Sequence, residues 1–370
     1  MNPHPASLIT YETLCANLEQ EVAKGNVVKK TDDSGLALYC YSKACVYDKA
    51  WNATTVLARG LILDTTKKRI AAYAFPKFFN YGEQDTSVPD LPFEAFEKLD
   101  GSLIIAFYHN NDWRTATKGS LGSSQAVWAL ERLQQYKNRL APGFTYLFEA
   151  IYAENRIVVN YDYEDLVLLG IYDREGCEID HNDLRFHWHK VAKNYAYNRI
   201  SDLMAAAESL SANEEGWVLR FSNGHRLKIK GAEYKRIHAL VSGITPLNIW
   251  RYMLEGQRVE DLRKQIPEEF WADFDQITSL LADKLFAVLE QIVEGAANTQ
   301  HLSDKELGLC LSLQPEPARG FLFAYRNAKG MDAFLNGRSR RNLFNCFRPD
   351  GNRLEGYRAS YAVARVLEEV

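Results

Sequence analysis

An α+β fold, antiparallel sheets followed by an all-α C-terminal domain, is what this sequence predicts, and three observations carry it. Short β-type runs dominate from about Leu36 to Lys230. Helical stretches interrupt those runs, which reads as α+β with antiparallel sheets. After about Gly243 the pattern changes to segments opened by helix-start residues and carried by helical spacing.

In chain order, the β-type runs are Ala37 to Tyr41, Val56 to Leu63, Ile70 to Phe75, Leu103 to Tyr108, Tyr146 to Tyr152, Leu166 to Tyr172, Trp217 to Phe221 and Arg226 to Ile229. Ser124 to Leu140 carries helical spacing at Val127, Leu130, Leu133 and Tyr136, and Ser201 to Leu210 is alanine-rich. Beyond residue 243, Pro246 after Thr245 is a first-turn proline, Pro267 precedes Glu268 and Glu269, and Ser303 with Glu306 makes a capping box. Phe270 to Val293 bears an apolar stripe at Phe274, Ile277, Leu280, Leu281, Leu285, Val288 and Ile292, which suits an amphipathic helix in a small bundle. The expected domains are residues 1–242 and 243–370.

The 370 residues are 46% hydrophobic and 25% charged, enough for two globular cores. A net charge of -4 gives no global basic signal, so a polyanion would have to meet a local basic surface. The six cysteines include no Cys-x-x-Cys pair, and no secretory signal opens the chain, which together point to a reducing cytoplasm without structural zinc. No apolar run reaches membrane-spanning length. His187-Trp188-His189 places two histidines at alternate positions, but no third ligand stands nearby, and packing is the expectation there.

Chemistry concentrates at Lys98-Leu99-Asp100-Gly101-Ser102. Phe93 and Phe96 precede it and a β-type run follows, so Asp100-Gly101 reads as a turn between two strands, with Lys98 at a strand end facing a pocket. Alone, the five residues also describe an ordinary hairpin turn with a solvated lysine. Further segments change the weighing: Arg59-Gly60, Lys77-Phe78-Phe79-Asn80, Lys118-Gly119-Ser120, Glu149 in an apolar run, and Glu215-Gly216-Trp217-Val218 with Lys228-Ile229-Lys230. On a strand, Lys228 and Lys230 point to one face. Two like charges there suit a phosphate site, or else a solvated strand edge.

The order and approximate spacing of these segments resemble the nucleotidyltransferase superfamily of ATP-dependent ligases and mRNA capping enzymes. Within it, Arg59-Gly60, Lys77 to Asn80, Lys118 to Ser120 and the Phe148-Glu149 strand look most like the RNA ligase 1 group of T-even bacteriophages. The resemblance covers roughly residues 36–236 and implies an ATP-grasp-like adenylyltransferase domain. Beyond it, the helical third resembles that group in size and class only, with no OB-fold domain of the kind capping enzymes and DNA ligases use.

The resemblance implies that Lys98 attacks the α-phosphorus of ATP to give lysyl-AMP, that AMP passes to an RNA 5'-phosphate, and that a 3'-hydroxyl then seals the strand, with Mg²⁺ or Mn²⁺ as metal. It implies that Arg59 and Lys77 contact the triphosphate, that Phe79 shapes the pocket, that Gly101 lets the backbone approach the nucleotide, and that Lys118 contacts sugar or phosphate. Glu149 and Glu215 would hold the ribose or the metal's water shell, Glu215 being preferred to Glu214 because Gly216 follows it. Tyr234 would border the triphosphate, and Ile171 or Tyr172 would cover the adenine. Lys228 and Lys230 would ease the cost of a neutral Lys98, about 4.6 kcal/mol from an ordinary lysine at pH 7. The implied partner is RNA, with tRNA repair in an infected bacterial cytoplasm as the setting, and no membrane or protein partner. A nicked-duplex ligase, a guanylyltransferase and a non-catalytic RNA-binding protein on the same scaffold are the competing readings. Arg338, Arg340, Arg341, Arg348, Arg353 and Arg358, interleaved with Phe344, Phe347 and Tyr357, make the C-terminal end an RNA-contact candidate or a solvated basic face.

Overall fold

The computed structural model describes residues 2–83, 88–179, 188–266, 270–328, 330–351 and 353–359. They form two compact units, Met1–Arg236 and Ile237–Glu369.

In the first unit, helix α1 (Tyr11–Ala23), capped by Thr10, lays Leu14 and Leu18 on a sheet of β1 (Val27–Thr31), β2 (Leu36–Tyr41), β3 (Arg59–Asp64) and β4 (Arg69–Ala72). That sheet is antiparallel in sequence order. Helix α2 (Lys43–Tyr47), capped by Ser42, interrupts it after β2. The β-type run from Val56 becomes a strand only at Arg59, because Asn52 accepts from the backbone N–H groups of Thr54 and Thr55 and holds a turn there.

Next come β5 (Phe79–Asn80), β6 (Phe93–Glu97), β7 (Ser102–His109), β8 (Asp112–Thr117), α3 (Ser124–Gln134), β9 (Thr145–Ile151) and β10 (Asp165–Tyr172). The chain continues through β11 (Asn194–Tyr195), α4 (Ile200–Ala207), β12 (Gly216–Phe221), β13 (Arg226–Lys230) and α5 (Ala232–Ser242). The helix expected to reach Leu140 stops at Gln134 and gives way to a 3-10 turn over Lys137–Arg139.

A second antiparallel sheet has the order β10-β9-β7-β8, and a third the order β11-β6-β12-β13-β5. The third sheet departs from the antiparallel rule at one end, where β13 pairs parallel with β5 through Leu227↔Phe79 and Lys228↔Asn80. Since β6 belongs to the third sheet and β7 to the second, Asp100-Gly101 is not a hairpin turn. It is the joint where the chain leaves one sheet for another.

In the second unit, α6 (Pro246–Leu254) starts on Pro246 with Thr245 as its cap. It is followed by α7 (Val259–Arg263), α8 (Trp271–Thr299), α9 (Asp304–Cys310), α10 (Leu322–Asn327), α11 (Met331–Phe334) and α12 (Gly337–Asn345). The Ser303/Glu306 capping box opens α9. Pro267 to Glu269 lie outside the described residues. On α8, Phe274, Ile277, Leu281 and Ile292 are buried as the stripe requires, and Ile292 packs with Ala318, Phe321, Phe334 and Leu343. No described helix is long and apolar enough to cross a membrane.

Candidate functional site

Three neighbouring strands of the third sheet place the central charges. Lys98 directly follows β6, and its backbone N–H donates to Gly216 O at 2.9 Å, extending the β6–β12 ladder by one rung. Glu215 immediately precedes β12, and Lys230 ends β13 opposite Gly216. One oxygen, Glu215 Oε1, lies 2.7 Å from Lys98 Nζ and 2.8 Å from Lys230 Nζ. Glu214, by contrast, is exposed and accepts from Ser211 Oγ.

That pairing corrects the expected electrostatics of Lys98. Burial disfavours its ammonium, but Glu215, Glu149 and Asp100 outweigh burial, and its pKa is raised. Glu215 is likewise buried, which disfavours its charge, yet Lys98 and Lys230 hold its pKa below the usual carboxylate range. The carboxylates around Lys98 therefore stabilise a charged amine, against the expectation that neighbouring lysines free a neutral one.

The Asp100-Gly101 joint is locked from beneath. Asp100 is buried and accepts from Val158 N (2.8 Å), Val159 N (2.9 Å) and Tyr234 Oη (2.8 Å), while its own N–H donates to Tyr161 Oη at 2.8 Å. Burial and the nearby Glu215 raise its pKa to about 6 against these hydrogen bonds. Gly101 N donates to Glu149 Oε1 at 3.0 Å, and a Cβ on Gly101 would meet Ala150 O at 2.5 Å. The close approach that needs glycine is thus to strand β9. Tyr234, 1% exposed, lies under Lys230 and supports Asp100 instead of lining an open site.

The remaining cations gather from all three sheets, Arg59 from β3, Lys118 from the end of β8, and Lys77, Lys228 and Lys230 from beside or on β5 and β13. Lys228 and Lys230 share one face of β13 while Leu227 and Ile229 fill the core behind it. β13 lies between β12 and β5, so the solvated-edge reading of this pair does not hold. Burial, then Lys77, Lys98 and Lys230, lower the Lys228 pKa to about 7. Burial and Arg59 lower that of Lys77 to about 8. Gly60, at φ 90°, brings β3 so near the turn after β8 that a Cβ would lie 3.0 Å from Lys118 Cα, which sets Arg59 beside Lys118. Among the described residues no carboxylate forms an ion pair with Arg59, Lys77, Lys118 or Lys228. Such an array of uncompensated, partly buried cations can take a polyanion.

Aromatic rings take the place that carboxylates would occupy. Lys77 Nζ stands over Tyr41 (5.7 Å), Trp51 (5.3 Å) and Phe79 (5.1 Å), Lys118 Nζ over Tyr41 (6.0 Å), and Arg59 over Phe78 (5.4 Å). Tyr41 and Trp51 escaped the sequence reading, as did Tyr161. An aromatic residue ending one strand and another in the following loop carry no local sign that they will meet a lysine from elsewhere.

Several expected residues take other roles. Ile171 packs with the core around Phe148 and Trp188, and Tyr172 is buried against His4, Tyr73 and Phe75, so neither is open to cover a base. His187 lies outside the described residues. His189 pairs with Asp165 at 2.7 Å and stacks on Tyr136, and no metal-holding group of three or more His, Cys, Asp or Glu occurs among the described residues. Glu149 and Glu215 nevertheless offer hard carboxylate oxygens beside the cation array, a donor set suited to an ion of Mg²⁺ type that takes most of its ligands from water and phosphate. In the second unit Phe344 and Phe347 are buried, Tyr357 donates to Asp273 at 2.7 Å, and Arg340 caps α6 by donating to Leu254 O at 2.7 Å. Phe344 and Phe347 are therefore core, and the half-buried Tyr357 is committed to Asp273, so the three do not form an open stacking surface. Arg341, Arg348, Arg353 and Arg358 are exposed, and the side chain of Arg338 lies outside what is described.

Residues 57–234 match a family model described as RNA ligase. The chain is 29% identical over 260 residues to a putative bifunctional polynucleotide kinase/RNA ligase of Autographa californica nuclear polyhedrosis virus, covering 61% of this chain and 36% of that protein. It is 22% identical over 210 residues to an RNA ligase of Rhodothermus phage RM378, covering 44% and 47% respectively. It therefore spans between a third and a half of the length of these relatives. Among solved structures, an archaeal ATP-dependent RNA ligase aligns over 76% of this chain and 79% of its own, at 14% identity and a TM-score of 0.44. A Naegleria gruberi RNA ligase with pyrophosphate aligns over 39% and 50%, at 20% identity and a TM-score of 0.30.

Proposed function

Since residues 57–234 match the RNA ligase family model, we propose that this protein is an ATP-dependent RNA ligase that joins 5'-phosphate and 3'-hydroxyl RNA ends through a lysyl-AMP intermediate. The observation that carries the proposal is the juxtaposition of one carboxylate-held lysine, Lys98, with four cations, Arg59, Lys77, Lys118 and Lys228, with which no carboxylate among the described residues forms an ion pair. The first supplies a nucleophile at a fixed position; the second supplies a seat for a triphosphate.

In the first step Lys98 Nζ, having lost a proton, forms a bond to the α-phosphorus of ATP while the α–β bridging P–O bond breaks and pyrophosphate leaves. Arg59, Lys77, Lys118 and Lys228 neutralise charge on the departing and transferred phosphates, and Lys230 holds Glu215 once Lys98 swings from it. A bound Mg²⁺ or Mn²⁺, held by Glu149 and Glu215 through water, would supply positive charge that lowers the cost of the neutral amine. In the second step an RNA 5'-phosphate oxygen attacks the same phosphorus, the P–N bond breaks and Lys98 regains its proton. In the third a 3'-hydroxyl, giving its proton to solvent, forms a bond to the 5'-phosphate phosphorus while the P–O bond from that phosphorus to AMP breaks and AMP leaves. Asp100, fixed by Val158, Val159 and Tyr234, keeps the joint that carries Lys98 from shifting between steps. Repair of broken tRNA is the setting this reading favours.

Incubation with α-labelled ATP and a divalent metal should label the protein, and Lys98→Ala should abolish the label. An unlabelled wild type with both Mg²⁺ and Mn²⁺ overturns the proposal. GTP offered against ATP, and single-stranded RNA and a cleaved anticodon stem-loop offered against a nicked duplex, separate it from guanylyltransferase and nick-sealing activity. RNA binding without label transfer would favour a non-catalytic binder.

A further inference from the structure

We propose that Trp51 is a positioning residue for the nucleotide phosphates, acting through Lys77: its indole ring holds the Lys77 ammonium in place without a counter-ion that the phosphates would have to displace. The inference rests on the proposed nucleotide chemistry and adds to it a residue outside the sequence segments that suggested that chemistry.

Lys77 and Trp51 are anchored to one loop. Lys77 N donates to Val56 O at 2.7 Å. The loop itself is tied by Asn52 N donating to Thr55 Oγ1 (2.8 Å) and by Thr55 Oγ1 donating to Ala50 O (3.2 Å), with Thr55 wholly buried. Trp51 N donates to Lys49 O at 2.7 Å, and Lys49 sits at φ 53°, so the chain doubles back sharply there and presents the indole toward Lys77. Trp51 packs edge-on against both Tyr41 (5.1 Å, 81°) and Phe79 (5.4 Å, 77°) and joins the other two rings over the ammonium into one wall. Removing it removes the ring that both of the others touch.

The chemistry of the wall suits a transient anion. A carboxylate would bind the ammonium strongly and compete with phosphate oxygens; ring faces attract it weakly and leave its N–H donors free. The charged groups that act on Lys77 are Arg59, Lys118 and Lys230, which repel it, and Glu83, which attracts it; Lys77 in turn depresses Lys228. A second feature separates positioning from packing. The indole N–H of Trp51 is buried without an acceptor among the described residues, which costs stability that phenylalanine would not incur. Tryptophan is the more costly residue for a purely structural role, and it has the stronger ring face for a cation.

The test compares wild type, Trp51→Leu, Trp51→Phe, Lys77→Met and the Trp51→Leu/Lys77→Met double variant in two measurements, binding of tripolyphosphate by calorimetry and lysyl-AMP formation against ATP concentration. Trp51→Leu should weaken tripolyphosphate binding and raise the KM for ATP about tenfold, with a smaller change in the maximal rate. It should also move the alkaline loss of binding to higher pH as Lys77 becomes more hydrated. Trp51→Phe should lose about threefold while melting no lower than wild type. In the double variant, Trp51→Leu should add nothing to the loss caused by Lys77→Met. Additive losses, or unchanged binding and pH profile in a folded Trp51→Leu protein, overturn the positioning role; a Trp51→Leu protein that fails to fold leaves Trp51→Phe to decide, with unaltered binding counting against it. Wild type that binds tripolyphosphate but is never labelled by ATP refutes the ligase reading and not the role of Trp51.

Discussion

The two halves of the site solve the cost of buried positive charge in opposite ways. Around Glu215, two lysines share one carboxylate oxygen at 2.7 and 2.8 Å, and the ion cluster is internally satisfied. Around Lys77 and Lys228, burial and mutual repulsion push the lysines to about 8 and about 7, and at Lys77 rings stand where carboxylates would be. The first half is built to be stable when empty and to need rearrangement before chemistry. The second is built to be unstable when empty and satisfied by a ligand.

Mutation should expose that contrast as opposite signs of stability. Glu215→Ala leaves two lysines facing each other without compensation and should cost about 3 kcal/mol in denaturant unfolding, with loss of lysyl-AMP formation. A Glu215→Ala protein as stable as wild type would mean that the pair is not held as described. Lys228→Met removes a charge that the empty fold opposes. It should raise stability at pH 7 by about 1–2 kcal/mol while weakening nucleotide capture, and a destabilised variant would contradict the assignment.

Titration gives a third, gentler test. Lys77 and Lys228 have folded pKa values below the unfolded lysine value, so between about pH 7 and 10 the unfolded chain binds more protons. Their contribution therefore makes the fold more stable as pH rises through that window. A polyanion reverses the depression. Binding of tripolyphosphate at pH 8 should thus take up about one proton, read from calorimetry in buffers of different ionisation enthalpy, and affinity should fall as pH rises. Release of protons, or none exchanged, would break the comparison.

The smallest expected effect concerns the support of the satisfied half. Asn160 N donates to Asn213 Oδ1 at 2.5 Å and Asn213 Nδ2 donates to Asn160 O at 3.0 Å, which links the loop that fixes Asp100 to the residues before Glu215. Asn213→Ala should cost about 1 kcal/mol in unfolding and slow adenylylation more than it alters tripolyphosphate binding.

Most of the strands were legible because their signal is local: alternation at Arg226 to Lys230, for example, reports which side chains share a face. The placement of the charged candidate-site residues was legible for a related reason, since Lys98, Glu215, Lys228 and Lys230 lie at strand ends or on one strand face. What could not be read was partnership between distant strands. Nothing near Asp100-Gly101 says that β6 and β7 enter different sheets, and the dipeptide reads locally as a hairpin. The same blindness hid Tyr41 and Trp51, which meet Lys77 only through tertiary folding. It also misassigned Phe344 and Phe347, whose neighbouring arginines suggested a wet surface while the packing of the helical unit buries them. Short strands of two residues, β5 and β11, carry too little pattern to be seen at all.

The hydrogen bond from Lys98 N to Gly216 O has a consequence for quality control during folding. It makes Lys98, the proposed nucleophile, and its partner carboxylate consecutive rungs of a single strand ladder, so their alignment is set by the same register that aligns Glu97 with Trp217. A slip of one residue between β6 and β12 would turn the Glu215 side chain to the opposite face and put Glu214 or Gly216 in its place. Chains that are compact but misregistered would be inert, and adenylylation competence would count the correctly threaded molecules in a refolded sample.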